Sequence, residues 1–171
     1  VSLPGGCAIG TRPVDIHLFG LKRLGAKIKI KNGYIFAEAK KGLTGAQIKF
    51  PSISVGATEN VIISASLANG TTYLENCACE PEIKNLTDFL NRMGANISWL
   101  GKRQIKIIGC KKFKKVSHQI MFDRIEAGTF IIAGALIGKK LKISGIQTRF
   151  LNTEIKILKK MGVKMKIGKD F

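Results

Sequence analysis

The sequence predicts a mixed α/β (α+β) fold built from a repeated helix–strand unit of about 68 residues. Three observations predict it. Leu24-Gly25-Ala26-Lys27-Ile28, Met93-Gly94-Ala95-Asn96-Ile97 and Met161-Gly162-Val163-Lys164-Met165 match, and their glycines lie 69 and 68 residues apart. Ala65–Gly70 matches Ala133–Gly138 with the same step of 68. Segments with apolar residues at helical spacing alternate with short segments of period-two patterning.

Taken in order, Val14, Leu18 and Leu21 mark a first helix. Pro13 suits its first turn, and Gly25 suits the left-handed residue that closes it. A strand from Lys27 to Lys31, the pair Asn32-Gly33 and a strand from Tyr34 to Ala39 read as a hairpin, because Asn-Gly supplies the turn that matches strand twist. A third strand completes this half of the unit. A second helix runs from near Gly56 to Leu67, and a strand follows from Thr71 to Glu75. Pro81 opens a third helix carrying Ile83, Leu86, Leu90 and Met93, and Gly94 ends it. A helix from about Arg124 to Ile137 is apolar on most faces and is expected to be buried. A strand from Leu141 to Ser144, a helix on Leu151, Ile155 and Leu158, and an alternating strand at Lys164-Met165-Lys166-Ile167 close the chain. The length admits one domain or two small ones.

The 171 residues carry a net charge of +18, with 23 Lys, 6 Arg and 24 Ile. The apolar fraction of 45% excludes a disordered chain, which needs low hydrophobicity as well as high charge. No apolar run reaches the roughly 18 residues of a membrane span. The charge admits a nucleic-acid reading, but base readers favour Arg, whose planar fork pairs with guanine. Here Lys dominates, and it alternates with apolar residues, as on a strand with one wet face. Lys111-Lys112-Phe113-Lys114-Lys115 is the one real cluster. Nucleic acid is therefore not the expected partner. The chain opens on Val1 with no charged, apolar leader, so no signal peptide is expected. Cys7, Cys77, Cys79 and Cys110 form neither a dense disulfide framework nor a paired zinc motif. A reducing, cytoplasmic setting is expected, with no metal and no cofactor.

Four segments carry candidate chemistry. Pro4 to Gly10 surrounds Cys7 with glycines, which reads as an exposed loop. Arg12 and a helix start nearby would lower the thiol pKa; the competing reading is a cysteine filling a gap. Arg12-Pro13-Val14-Asp15-Ile16-His17 opens a helix, where backbone N–H groups and an arginine attract phosphate; Asp15 also fits a helix-dipole role. Ser54-Val55-Gly56 opens the next helix, as a plain cap or as a phosphate turn. Asp123-Arg124-Ile125-Glu126 places three charges at a helix start, either as structural pairs or facing a cleft.

Together with Glu59-Asn60, Glu75-Asn76 and Glu80-Pro81-Glu82-Ile83, these segments resemble the UDP-N-acetylglucosamine 1-carboxyvinyltransferase family, in order and through essentially the whole chain. The resemblance implies an inside-out α/β barrel of the enolpyruvyl transferase type. It implies transfer of the enolpyruvyl group from phosphoenolpyruvate to the 3-hydroxyl of UDP-N-acetylglucosamine, the first committed step of peptidoglycan synthesis in the bacterial cytoplasm. The enol carbon is protonated, the sugar hydroxyl attacks C2, and phosphate leaves.

By the same resemblance Cys7 is the loop cysteine, the general acid that can hold phosphoenolpyruvate through sulfur and that fosfomycin alkylates. Arg12, Pro13, Val14, Asp15 and Ile16 match the segment that holds the uridine nucleotide. Ser54, Val55 and Gly56 match the turn at the diphosphate, and His17, Glu80 and Asp123 line the same cleft. Ser52 stands where many members carry lysine. Family members are much longer, and their phosphoenolpyruvate-gripping arginines and proposed aspartate base lie outside this sequence. The resemblance therefore implies a part of the catalytic-loop domain, 1–120, and the start of a second, similar domain, 121–171, without turnover by themselves. The rival readings are a basic nucleic-acid-binding module and a non-catalytic paralogue.

Overall fold

The chain folds as two units, Val1–His118 and Gln119–Phe171. The computed structural model describes all residues except 7, 9, 11, 139 and 169–171. The first unit runs α1 (Asp15–Arg23), β1 (Lys27–Lys31), β2 (Tyr34–Glu38), β3 (Gln47–Lys49), α2 (Val55–Ala65), β4 (Thr71–Glu75), α3 (Pro81–Arg92), β5 (Asn96–Gly101) and β6 (Gln104–Ile108). The second contains α4 (Arg124–Ile137), a 3-10 turn (Thr148–Leu151) and α5 (Asn152–Lys160).

β1 and β2 form the hairpin that Asn-Gly predicts, with Lys31 opposite Tyr34. Asn32 and Gly33 both take positive φ, 50° and 74°, as a two-residue primed turn requires. Val1–Leu3 lies along the free edge of β2. Ile35 N donates to Val1 O and Leu3 N donates to Gly33 O, each at 2.7 Å.

The main sheet has the order β3-β4-β6-β5. β3 and β4 are parallel, while β6 runs antiparallel to both β4 and β5. Ile48, Leu74, Ile97, Ile105 and Ile107 point from the sheet into a core shared with Val61, Ile62 and Ala65 of α2 and with Ile83 and Leu90 of α3. Alternate residues face outward. Lys49 is exposed, and the Lys106 ammonium sits 5.9 Å above the Tyr73 ring. On the hairpin, Lys27, Lys29 and Lys31 are exposed. In the main sheet this alternation separates a wet face from a buried one, whereas the hairpin is exposed on both faces, with Ile30 at 56% and Phe36 at 57%.

α1, α3 and α5 stop by one local device. Ala26 N donates to Leu21 O, Ala95 N to Leu90 O and Val163 N to Leu158 O, all at 3.0 Å. The intervening Gly25, Gly94 and Gly162 take φ of 95°, 101° and 88°. This is the Schellman stop, in which the left-handed residue lets the chain reverse and cap its own carbonyls. The repeat extends to burial. Ile83, Thr87 and Leu90 of α3 are buried, and so are Leu151, Ile155 and Leu158 one step of 68 later.

The structure corrects three expectations. Leu141–Ser144 and Lys164–Ile167 are not strands, because a strand needs a partner for its backbone groups and these two segments do not pair. α4 is not enclosed. Ala127 and Gly128 are its buried residues, whereas Phe130, Ile132 and Leu136 are 54%, 46% and 81% exposed. One stripe packs on Ile146, Leu151 and Ile155, and within its unit the other faces meet solvent. Pro13 precedes α1 rather than opening it, because the helix starts at Asp15 with Val14 as its cap.

Candidate functional site

The first turns of α1, α2 and α3 supply the site. β3 leads into α2 and β4 into α3 across short loops, so both helix N-termini stand at the carboxyl ends of two parallel strands. That edge of an α/β sheet is where ligands commonly bind. The loops are tied together. Phe50 N donates to Glu75 O at 3.0 Å, and Asn76 Nδ2 donates to Phe50 O at 2.9 Å. Asn76 itself takes φ of 58°, which asparagine tolerates better than most residues.

Ser54 caps α2, its Oγ accepting from Ala57 N at 3.3 Å. Thr58, fully buried, makes the key cross-tie. Its hydroxyl donates to Ser54 O at 2.7 Å and accepts from Ala78 N at 3.0 Å, joining the first turn of α2 to the loop before α3. At that next start, Glu80 Oε2 accepts from Cys79 N at 2.7 Å and Pro81 takes the first helical position, where its missing N–H costs nothing.

α1 crosses α2 closely. A β-carbon on Gly20 would overlap Val61 Cγ2, so glycine is what permits the approach. Further up, the His17 ring rests on Gly56, where a β-carbon would stand 3.1 Å from Cε1. Glu59 lies one turn beyond Gly56. Partial burial, and then the neighbouring Glu82 carboxylate, raise its pKa, while His17 lowers it. Behind the site, burial pushes the Cys77 thiol up to about 12, although Arg103 opposes the shift. Arg103 also donates to Cys77 O at 2.8 Å.

The structure therefore brings His17 to Ser54, Val55 and Gly56, and it sets Glu80 beside the same junction through the Thr58 tie. Asp15 and Ile16 share the first turn of α1 with His17, and Arg12, Pro13 and Val14 lead into it. Ser52 is exposed just before α2. Asp123 belongs to the second unit, where it caps α4; its Oδ1 accepts from Ile125 N at 2.8 Å and Glu126 N at 3.1 Å. Cys7 lies outside the described residues. Sequence reasoning missed Glu59, Glu82 and Thr58 as members of the junction. The available signal for Glu59 and Thr58 was helical spacing, three residues after Gly56 and four after Ser54, while Glu82, two after Glu80, carried none. Among the described residues no cluster of His, Cys, Asp and Glu is arranged to hold a metal ion, and no helix is long and apolar enough to cross a membrane.

Over residues 1–171 the chain matches the family model described as EPSP synthase (3-phosphoshikimate 1-carboxyvinyltransferase). The chain belongs to this family. Among family relatives, a UDP-N-acetylglucosamine 1-carboxyvinyltransferase of Pelagibacter ubique is 59% identical over 170 residues, which is 99% of this chain and 41% of the relative. The protein of the same name from Bartonella tribocorum is 48% identical over 98% of this chain and 39% of its own length. The chain thus spans about two fifths of the curated relatives it matches. Among solved structures, the enolpyruvyl transferase NikO from Streptomyces tendae superposes with a TM-score of 0.81 at 24% identity, over 94% of this chain and 41% of that one. EPSP synthase from Acinetobacter baumannii gives 0.66 at 19% identity, over 92% and 37%. The family fold, the mixed α/β fold of enolpyruvyl transferases, is shared.

Proposed function

We propose that this chain carries the nucleotide-sugar and catalytic-loop part of an enzyme that transfers the enolpyruvyl group of phosphoenolpyruvate to the 3-hydroxyl of UDP-N-acetylglucosamine. One observation carries the reading: the 59% identity over 170 residues to a relative of that name. The junction of α1, α2 and α3 supports it. Helix first turns present backbone N–H groups to an anion, and Gly56 leaves room for a close approach to the backbone. Arg12, Pro13, Val14, Asp15 and Ile16 hold the uridine nucleotide, Ser54, Val55 and Gly56 meet the diphosphate, and His17, Glu80 and Asp123 line the cleft. Cys7 protonates the enol carbon as general acid. The sugar hydroxyl gives up its proton and bonds to C2, the C2–oxygen bond to phosphate breaks with its electron pair leaving on phosphate, and loss of a proton from the C3 methyl restores the carbon–carbon double bond. The step belongs to peptidoglycan synthesis in a bacterial cytoplasm, with residues 1–120 in the catalytic-loop domain and 121–171 in the second. The nucleic-acid and non-catalytic readings are not favoured, because the relatives are carboxyvinyltransferases.

Incubation with fosfomycin, with and without UDP-N-acetylglucosamine, followed by peptide mass mapping, tests this. One adduct is expected on Cys7, formed faster when the sugar nucleotide is present. Cys77 is the internal control. With a thiol pKa of about 12 it stays unlabelled in the folded protein. Equal labelling of Cys7, Cys79 and Cys110, indifferent to the nucleotide, overturns the proposal.

A further inference from the structure

The cluster Lys111-Lys112-Phe113-Lys114-Lys115 lies outside the junction of α1, α2 and α3, yet it is held in place. Phe113 packs against the core of the first unit. On one side of it Cys110 N donates to Ser66 O, and on the other Lys114 N donates to Met93 O, each at 2.9 Å. A segment pinned through its backbone and its aromatic ring thus presents Lys111, Lys112, Lys114 and Lys115 to solvent.

Backbone bonds tie this segment to its neighbours. Gly109 N donates to Gly70 O at 3.0 Å, Asn69 N to Leu43 O at 2.8 Å and Gly45 N to Asn69 O at 2.7 Å. Residues 39–45, 66–70, 92–95 and 109–115 therefore form one rim, at the amino ends of β3 and β4 and beyond the last turns of α2 and α3. The rim carries seven basic residues, all exposed, and no acidic one. Lys40, Lys41 and Arg92 join the four lysines of the cluster. At the opposite end, Asp15, Glu59, Glu75, Glu80 and Glu82 stand at the helix first turns and at the close of β4. The unit is polarised along its strands, with its basic end away from the candidate site.

Helix ends alone do not account for the rim. Three helix C-termini supply about half a negative charge each, far less than seven cations. The rim is also unlike a surface that reads bases. Lys outnumbers Arg six to one in it, so it offers point charges rather than planar forks. Its one aromatic ring, Phe113, is committed to the core, which leaves no platform for base stacking. Leu67, 49% exposed, stands among the cations and suits the boundary between headgroups and acyl chains.

We infer that this rim docks the protein peripherally on an anionic phospholipid surface. Lysine ammonium groups meet the headgroup phosphates, and the first turns of α1, α2 and α3 stay open to solution on the far side.

The test floats the whole chain with vesicles of phosphatidylcholine, with and without about one third phosphatidylglycerol. Binding is expected with the anionic vesicles alone, and release on adding about 1 M sodium chloride, where the screening length shrinks to about 3 Å. Two quadruple variants then separate the rim from the net charge. One carries Lys111→Gln, Lys112→Gln, Lys114→Gln and Lys115→Gln. The other carries Lys27→Gln, Lys29→Gln, Lys31→Gln and Lys49→Gln. Each removes four charges from the same +18. A lysine at the surface is worth roughly fivefold in partitioning, so the first variant is expected to bind about a hundredfold more weakly or worse, and the second to stay within about fivefold of the parent. Absence of binding to anionic vesicles, equal loss in both variants, or tighter binding of duplex RNA through the same four lysines at the same salt each overturns the inference.

Discussion

The imidazole of His17 occupies the space that a side chain at Gly56 would need: a β-carbon there would stand 3.1 Å from Cε1 and 3.3 Å from Nε2. The first turns of α1 and α2 are therefore fitted to each other through an absent side chain. Gly56→Ala gains helix propensity of about 0.5–1 kcal/mol and loses a similar amount to the contact. Global stability is expected to change by less than about 1 kcal/mol, while the His17 ring moves. The chemical shifts of its Cε1 and Cδ2 protons, compared with those of the parent, check this; under the proposed function the Kd for UDP-N-acetylglucosamine is also expected to rise about tenfold.

Thr58 joins two loops through one hydroxyl, so its removal costs more than one hydrogen bond. Thr58→Val keeps the shape and leaves the Ala78 N–H without its 3.0 Å acceptor. An unsatisfied buried donor costs about 1–3 kcal/mol, expected as a lower urea midpoint with an unchanged slope. Thr58→Ser restores the hydroxyl and recovers most of the loss. Destabilisation by Thr58→Ser as large as that by Thr58→Val would mean that the methyl, which serine lacks and valine keeps, matters as much as the hydroxyl.

Gly20 permits the crossing of α1 over α2. Gly20→Ala drives a methyl into Val61 Cγ2, and overpacking of this kind costs about 1–3 kcal/mol. Trimming the obstacle relieves it, so the Gly20→Ala/Val61→Ala double variant is expected to be more stable than the sum of the two single losses. Denaturant unfolding of all four proteins in a double-mutant cycle reads the coupling.

Glu59 makes stability depend on pH in an unusual direction. Its folded pKa is raised above the ordinary 4.5, first by burial and then by Glu82. A raised carboxyl binds its proton more tightly folded than unfolded. Its contribution is thus complete below about pH 4.5 and is lost as pH rises through the raised value. Glu59→Gln removes that loss. The urea midpoint of the variant relative to the parent is expected to increase from pH 4 to pH 7, and a flat difference would refute it.

What could be read from the sequence was local. The Asn32-Gly33 hairpin and the stops at Gly25, Gly94 and Gly162 depend on residues within six positions of one another, and these appeared as expected. β3 was counted but not placed, since three residues with one buried side chain, Ile48, carry no readable period. The segments at 141–144 and 164–167 have strand patterning without a partner, and pairing is a property of two segments. α4 reads as buried because it is apolar all round, yet burial depends on what packs against it. The junction of His17, Gly56, Glu59 and Glu82 joins three helices far apart in sequence. Resemblance named Gly56 and His17 separately, and the fold put one against the other.

The outward lysines have a thermodynamic consequence. Lys27, Lys29, Lys31 and Lys49 stand in rows on strand faces in a chain of net charge +18, so folding concentrates like charge that the unfolded chain keeps dispersed. At physiological ionic strength the screening length is about 8 Å, and at 0.01 M it is about 30 Å, long enough for the successive outward lysines of β1 to repel one another although Lys27 and Lys49 lie opposite Glu38 and Glu75. Dilute buffer is therefore the hostile condition for this fold. Added sodium chloride raises its melting temperature by shielding the rows from themselves.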